Sequence, residues 1–204
     1  MIARFALSML LAMALPAAAQ DTPAVPAAAK PATVKVRLKT DAGDIVLELE
    51  KQRAPVTTAN FLRYVDTRRL DGIAFYRAMK LDWGGGLIQA GVRDGAKLYP
   101  PIAHEPTTQT GLSHTEGTIS MARLAPGSAR GDFTIMLGDM RGLDADPKAP
   151  GDNLGFAAFG RVVEGMAVVK AIQAGPRSPT LGEGVMKGEM LDPPVKIVSA
   201  RREP

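Results

Sequence analysis

The sequence lacks cysteine altogether and has only two histidines, His104 and His114, among its 204 residues. The absence of cysteine excludes a disulfide framework and a lipid anchor attached through sulfur. Neither histidine lies in an HExxH pattern, so a zinc site built from this chain alone is poorly supported. We therefore expect neither a metal nor a cofactor.

Nucleophilic and phosphate-binding motifs are also missing. There is no GxSxG elbow, and the serine in GTISMAR has no sequence feature that ties it to a histidine. The glycine triplet at 84–86 lacks the lysine and hydroxyl residue of a phosphate loop. Asp144, Asp146 and Asp152 could be calcium ligands, but their spacing departs from the EF-hand loop, and a solvated loop is the alternative.

Charge of one sign and aromatic residues are both scarce. The formal net charge is +4, and aromatic residues make up 5% of the chain. The basic residues are scattered and show none of the aromatic–basic interleaving typical of proteins that bind single strands. We expect no nucleic-acid partner.

The N-terminus is unlike the rest of the chain. Residues 1–19 combine Arg4, an apolar run and a stretch of small residues, which predicts a secretory signal cleaved after Ala19. A retained membrane anchor is the alternative, but the run is shorter than the roughly 20 residues that a span needs. Residues 20–32 are rich in proline and alanine and predict a disordered tether. Residues 33–204 then form one domain.

Seven short segments favour β-strands because apolar residues alternate or cluster in them. They are TVKVRLKT, IVLELE, FYRAM, GLIQAG, TISMAR, DFTIML and PVKIVSAR. Helices are predicted at 55–67, which begins with Pro55, and in VVEGMAVVKAIQ, where Met166, Val169 and Ile172 have helical spacing. The expected fold is mainly β, a closed antiparallel barrel whose open ends are covered by two helices.

Seven short motifs occur in an order that is more specific than any one of them. They are GDIVLEL, APVTTANF, FYRAM, LIQAG, GTISMAR, FGRVVEGMAVV and PPVKI. In this order the chain resembles the cyclophilin family of peptidyl-prolyl cis-trans isomerases from Val34 to about Arg201. The resemblance implies an eight-stranded antiparallel barrel with two helices. It also implies an enzyme that needs no nucleophile, because prolyl isomerisation breaks no bond.

The resemblance places the family's catalytic arginine at Arg77 and its substrate-binding glutamine at Gln89. A guanidinium stays charged and can donate a hydrogen bond to the prolyl nitrogen only as the amide resonance is lost. Leu87 shares a strand face with Gln89 and would form an apolar wall beside it. Taken without the motif order, Arg77 would fit a surface salt bridge on a strand better than a catalytic role.

Further groove positions follow from the resemblance. Met121 and Ala122 match a segment beside the groove, although Met121 fits core packing as well. Asp132 stands where the family usually has glutamine, and Thr134 where it has a pocket phenylalanine. Leu143 and Phe156 fall near two more positions, with an insertion between them and with Phe156 in place of a common histidine.

The stretch from Arg77 to Gln89 departs most from the family. It takes twelve steps where the family takes eight, and Gly86 replaces a second pocket phenylalanine. Four extra residues must loop out within 80–86. Trp83, the only tryptophan, could fold back as the missing aromatic wall, or it could be an exposed loop residue.

The prediction is therefore a monomeric periplasmic prolyl isomerase that binds proline-containing segments of unfolded or extended polypeptides, without stable membrane insertion. The loss of two pocket aromatics favours an alternative, a cyclophilin-like peptide-binding or chaperone module with weak or no turnover. An unrelated barrel would require the motif order to be accidental.

Overall fold

The computed structural model describes residues 31–204. The predicted signal and the tether up to residue 30 lie outside this part of the chain. Within residues 31–204, no helix is both long and apolar enough to cross a bilayer.

Eight strands form one closed antiparallel barrel, as expected. They are β1 Val34–Thr40, β2 Gly43–Leu49, β3 Ala74–Lys80, β4 Gly86–Gly91, β5 Thr118–Met121, β6 Phe133–Leu137, β7 Ala157–Glu164 and β8 Met190–Arg202. Their order around the barrel is β1-β2-β7-β5-β6-β4-β3-β8. Closure leaves the barrel without the unpaired edges that favour aggregation.

The seven segments predicted as strands all contain one, and β7 is the strand that the sequence prediction missed. The sequence analysis predicts Val162 and Val163, in the second half of β7, as the start of the second helix, whereas the structure has them in the strand. Gly165, with a φ of 89°, ends the strand, and the helix starts at the next residue. A positive φ favours glycine, so the break between strand and helix falls at this residue.

Within residues 31–204, three α-helices accompany the barrel: α1 Pro55–Asp66, α2 Thr107–Thr110 and α3 Met166–Gln173. The two predicted helices are α1 and α3, whereas α2 is a single turn for which the sequence analysis makes no prediction. A residue distant in sequence caps the N-terminus of α1. The buried carboxylate of Glu105 accepts hydrogen bonds from the backbone N–H groups of Val56 at 3.1 Å and Thr57 at 2.7 Å. This contact supplies acceptors that the helix itself cannot provide.

Aromatic rings fill the barrel interior. Phe133 is fully buried, and its ring meets that of Phe61 edge-on at 5.2 Å and that of Phe75 at 6.0 Å. Phe61 comes from α1, so these contacts fix the helix against the strands. Edge-to-face pairs add to the burial of apolar area. Phe133 is thus a core residue.

The β3–β4 hairpin explains how the longer spacing is accommodated. Arg77 pairs directly with Gln89, and the pairing continues to Lys80 opposite Gly86. Residues inserted between two paired strands do not alter the pairing of Arg77 with Gln89. They lengthen the hairpin instead, and residues 81–85 form its tip. Gly86 has a φ of 143°, and a Cβ there would lie 2.1 Å from the Met79 carbonyl oxygen. The hairpin therefore requires glycine where the sequence comparison expected phenylalanine.

Candidate active site

A cavity of about 560 Å³ opens on the outer face of β3, β4 and β6. Eight of the ten predicted site residues line it: Arg77, Leu87, Gln89, Ala122, Asp132, Thr134, Leu143 and Phe156. Alternation along the strands explains the grouping, since side chains two residues apart share a face. The neighbouring residues on β4 and β6 point instead into the barrel.

Arg77 and Gln89 form a direct pair in the cavity wall. They are opposite each other on β3 and β4, and Nη1 of Arg77 donates to Oε1 of Gln89 at 2.9 Å. The Arg77 side chain is 12% exposed, and Gln89 is buried. The register of the hairpin therefore places a charged donor and an amide side by side on an otherwise apolar face.

Glu189 is a third member of this cluster that sequence reasoning missed. Its Oε2 accepts from Nε of Arg77 at 2.7 Å and lies 2.7 Å from Nη2. A guanidinium carries five N–H groups, so these contacts and the bond to Gln89 leave at least one N–H of Nη1 for a substrate. The 112-residue separation explains why no local pattern could indicate Glu189.

Methionine and leucine form the apolar wall beside the polar cluster. Leu87, Met136 and Met140 are buried together, and Met79 and Leu143 pack against them. Met186 lines the same cavity from the loop before β8. Unbranched, polarisable methionine side chains supply most of this apolar wall.

Leu143 and Phe156 are brought together despite the insertion between them. The Phe156 N–H donates to the Leu143 carbonyl at 2.9 Å, which closes the intervening residues into a surface loop. The guanidinium of Arg123 lies 5.1 Å from the Phe156 ring and binds the carboxylate of Asp152. The insertion therefore does not displace Leu143 or Phe156 from the cavity wall.

A buried histidine holds the residue next to Leu143. Nδ1 of His114 lies 2.5 Å from Oδ1 of Asp144, and Nε2 lies 2.9 Å from Oγ of Ser120. This Ser–His–Asp arrangement resembles a hydrolytic triad, but Ser120 and His114 are fully buried and cannot reach a substrate. Burial lowers the pKa of His114 against the opposing effect of Asp144. The network is a structural support.

The aspartates considered as calcium ligands do not meet. Asp144 binds His114 and Ser113, whereas Asp152 binds Arg123. Among residues 31–204, no group of three acidic, histidine or cysteine side chains is placed to hold a metal ion.

Asp132 stands at the polar end of the cavity. Burial raises the pKa of its carboxyl to about 6, against the opposing charge of Arg93. Its Oδ1 has no hydrogen-bond partner among the described residues. This oxygen lies against Gly91, where an added Cβ would be 1.2 Å away. Burial and the Asp132 charge also raise the pKa of Tyr76, another residue of the lining, to about 12.

Two predicted site residues lie outside the cavity. Met121 is 2% exposed and packs in the barrel core, because it shares the inward face of β5 with Ile119. Trp83 is 60% exposed at the hairpin tip and packs against Gly85 and Gly138. In this structure, therefore, neither side chain forms part of the groove wall.

Other residues of the lining had not been predicted. Met79 and Met136 lie two positions beyond Arg77 and Thr134 on their strands, so strand alternation carried a usable signal for both. Tyr76 adjoins Arg77 on β3. The rest come from loops: Val92, Arg93, Leu98, Arg123, Leu124, Ser128, Arg130, Gly131, Met140 and Met186. Loop contributions depend on chain paths that no short-range pattern records.

Comparisons with known proteins agree with this geometry. A sequence model of the family described as "Cyclophilin type peptidyl-prolyl cis-trans isomerase/CLD" matches residues 35–202. The chain therefore belongs to the cyclophilin-type peptidyl-prolyl cis-trans isomerase family.

Individual relatives carry the same name. A peptidyl-prolyl cis-trans isomerase of Acinetobacter baylyi is 35% identical over 173 residues, 83% of this chain and 86% of the relative. Peptidyl-prolyl cis-trans isomerase A of Dickeya dadantii is 37% identical over 72% of this chain and 75% of its own length. The crystal structure of a Cryptosporidium parvum cyclophilin-type isomerase superposes with a TM-score of 0.67 at 18% identity, covering 85% of this chain and 99% of that protein. At that identity the structural likeness supports the fold alone.

Proposed function

We propose that this cavity isomerises Xaa-Pro peptide bonds, with Arg77 as the catalytic residue and Gln89 as the clamp on the substrate backbone. Family membership and relatives of the same name give the chain peptidyl-prolyl cis-trans isomerase activity. The assignment of roles to individual residues rests on the chemistry of the cavity.

The observation that carries the proposal is a fixed guanidinium beside an apolar wall. The barrier to rotation, roughly 18–20 kcal/mol, arises from resonance between the nitrogen lone pair and the carbonyl. As the bond twists, the lone pair localises on the prolyl nitrogen. A free N–H of Arg77 can donate to that lone pair in the twisted form alone, which lowers the barrier without tightening ground-state binding.

Gln89 and the methionine wall complete the substrate site. The Gln89 amide can both donate to and accept from a peptide backbone. The wall formed by Leu87, Met136 and Met140 supplies apolar surface for a proline ring. A second crystal structure of the Cryptosporidium protein, which aligns with this chain at 19% identity, was obtained in the presence of the dipeptide Ala-Pro, which is consistent with substrates of this class.

The biological setting that we propose is the folding of secreted proteins in the periplasm. It is supported by residues 1–19, whose charge and apolar pattern is typical of an export signal. Uncatalysed prolyl isomerisation takes tens to hundreds of seconds, slow enough to limit folding. We propose that the domain acts there as a monomer on extended segments.

A peptide-binding module with weak turnover is the second candidate. The observation that favours it is the absence of aromatic rings at Gly86 and Thr134, where the resemblance places two walls of the proline pocket. Such a module would use the same cavity to hold a chain without accelerating its isomerisation.

One experiment separates the two candidates: isomerisation of a proline tetrapeptide by wild type, Arg77→Ala and Arg161→Ala. Arg161 is a matched control because it is a strand arginine with an ion pair to Glu48, outside the cavity lining. Loss of a positioned donor should reduce kcat/KM at least about tenfold in Arg77→Ala, and Arg161→Ala should match wild type. Equal rates for wild type and Arg77→Ala would contradict the role of Arg77. A wild-type rate no higher than background would leave the binding module.

A further inference from the structure

Glu189 lies where the loop of residues 174–189 ends and β8 begins. Its backbone is anchored to β3, since the Ala78 N–H donates to the Glu189 carbonyl at 2.9 Å. The next residue, Met190, pairs with Arg77 in the barrel. The backbone pairing at the start of β8 therefore places the Glu189 carboxylate beside the Arg77 guanidinium, and this placement does not depend on contacts within the cavity.

The contact between the two side chains is more enclosed than a surface ion pair. Arg77 is 12% exposed and Glu189 is 23% exposed, and both close contacts converge on Oε2. In each of the other arginine ion pairs found within residues 31–204, at least one of the two side chains is exposed by more than a third, as is Arg201 (46%) in its pair with Asp71. Reduced exposure limits screening by solvent and salt, so this pair should hold its geometry better than a surface pair.

Two acceptors from different parts of the chain restrain the guanidinium, one in the loop before β8 and one on β4. Glu189 binds it at Nε and lies beside Nη2, whereas Gln89 binds Nη1. An arginine side chain has several rotatable bonds. A single hydrogen bond to Gln89 would leave the guanidinium free to rotate about that contact. The second contact fixes the plane of the guanidinium and hence the direction of its remaining N–H. Misplacement of a catalytic group by about 1 Å can cost roughly a hundredfold in rate.

We propose that Glu189 is the positioning residue for Arg77, orienting the guanidinium toward the prolyl nitrogen without contacting the substrate. This role rests on the proposed function of Arg77. The proposal goes beyond a structural ion pair, because it predicts a loss of rate at the reacting bond with little change in peptide binding.

The test compares wild type with Glu189→Gln, Arg77→Ala and the double variant. Rates of cis-trans exchange and the Kd of a proline peptide are measured by NMR, which separates turnover from binding. Glu183→Gln is the matched control, since Glu183 is an exposed glutamate of the same loop. Glu189→Asp retains the charge but shortens the reach by one methylene, and wild-type-like amide spectra establish that each variant is folded.

We expect Glu189→Gln to lower the catalysed rate about tenfold, with the Kd within twofold of wild type, and Glu189→Asp to recover part of the loss. Added to Arg77→Ala, the substitution should cost nothing more, because its effect passes through Arg77. Glu183→Gln should behave as wild type.

Each contrary outcome overturns a separate statement. If Glu189→Gln keeps the wild-type rate while Arg77→Ala loses it, the positioning role fails and the function of Arg77 stands. An equal further loss in the Arg77→Ala background, or a rate loss explained by weaker binding, also rejects positioning. If Arg77→Ala itself keeps the full rate, the proposed function fails.

Discussion

The two faces of β6 differ in what their side chains do. Inward, Phe133 meets aromatic rings from α1 and β3 in a closed interior. Outward, Thr134 and Met136 line an open cavity with methionine as the main apolar component. The inner face depends on rigid rings with defined contacts, whereas the outer face leaves about 560 Å³ for a ligand. One strand therefore supplies stability from its inward face and binding chemistry from its outward face.

The largest effect should come from removing an inward ring. Phe133→Ala deletes fully buried aromatic contacts, and we expect it to lower the free energy of unfolding by about 3–5 kcal/mol. Chemical denaturation measures the change. Thr134→Val, on the outward face of the same strand, should cost about 1 kcal/mol or less, since it removes one long hydroxyl contact. Similar losses for both substitutions would mean that the two faces of β6 contribute equally to stability.

A smaller effect on stability is expected at the polar end of the cavity. The pKa of Asp132 rises from 3.8 to about 6 on folding. The folded state therefore holds this proton more tightly, and its stability falls as pH rises from about 4 through 6. Asp132→Asn removes the charge and should stabilise the protein by about 1 kcal/mol at pH 8. The gain should disappear near pH 4.

Denaturation at the two pH values measures this prediction, with Asp82→Asn at the exposed hairpin tip as the control. A pH-independent gain, or none at pH 8, would show that the carboxyl is not a destabilising charge.

Adding an aromatic ring to the outward face of β6 tests its role in binding. Thr134→Phe adds the aromatic side chain that the family resemblance predicts and should tighten binding of a proline peptide about fivefold through added apolar contact. Thr134→Val controls for loss of the hydroxyl. Titration calorimetry gives both Kd values, and weaker binding in Thr134→Phe would mean that the methionine wall already fills the space.

The smallest expected effect concerns Trp83. Its ring is 60% exposed and lies outside the cavity lining, so a bound peptide should leave its fluorescence unchanged. As the only tryptophan, it reports without interference. A clear spectral shift at saturating peptide would instead show that the hairpin tip folds over the groove, as the sequence interpretation allowed.

Much of the fold follows from local patterns. Alternation in β1 and the turn after it are visible in the sequence, and so is the helical spacing of Val169 and Ile172 in α3. By contrast, β7 was missed because its two valines adjoin a helix and look continuous with it. A glycine with a positive φ separates the two elements, and the sequence alone does not reveal that angle.

The residues of the candidate site could be predicted only where a local sequence motif or strand alternation indicates them. The family resemblance predicts roles for Arg77 and Gln89, which the structure places side by side in the cavity lining, and alternation places Leu87 beside Gln89. Met121 lies in the core instead, because its position in β5 faces inward. Glu189 could not be predicted, since only barrel closure brings β8 against β3.

The most direct test of the account is the interconversion rate of a saturating Ala-Pro peptide on the enzyme, measured by NMR exchange for wild type and Arg77→Ala. Saturation removes differences in affinity, so the rate reports the bound step alone. We predict rapid cis-trans exchange on the wild type and at least about a tenfold slower exchange on the variant, with the peptide still bound. Equal exchange rates in the two complexes would contradict the assignment of Arg77 as the catalytic residue.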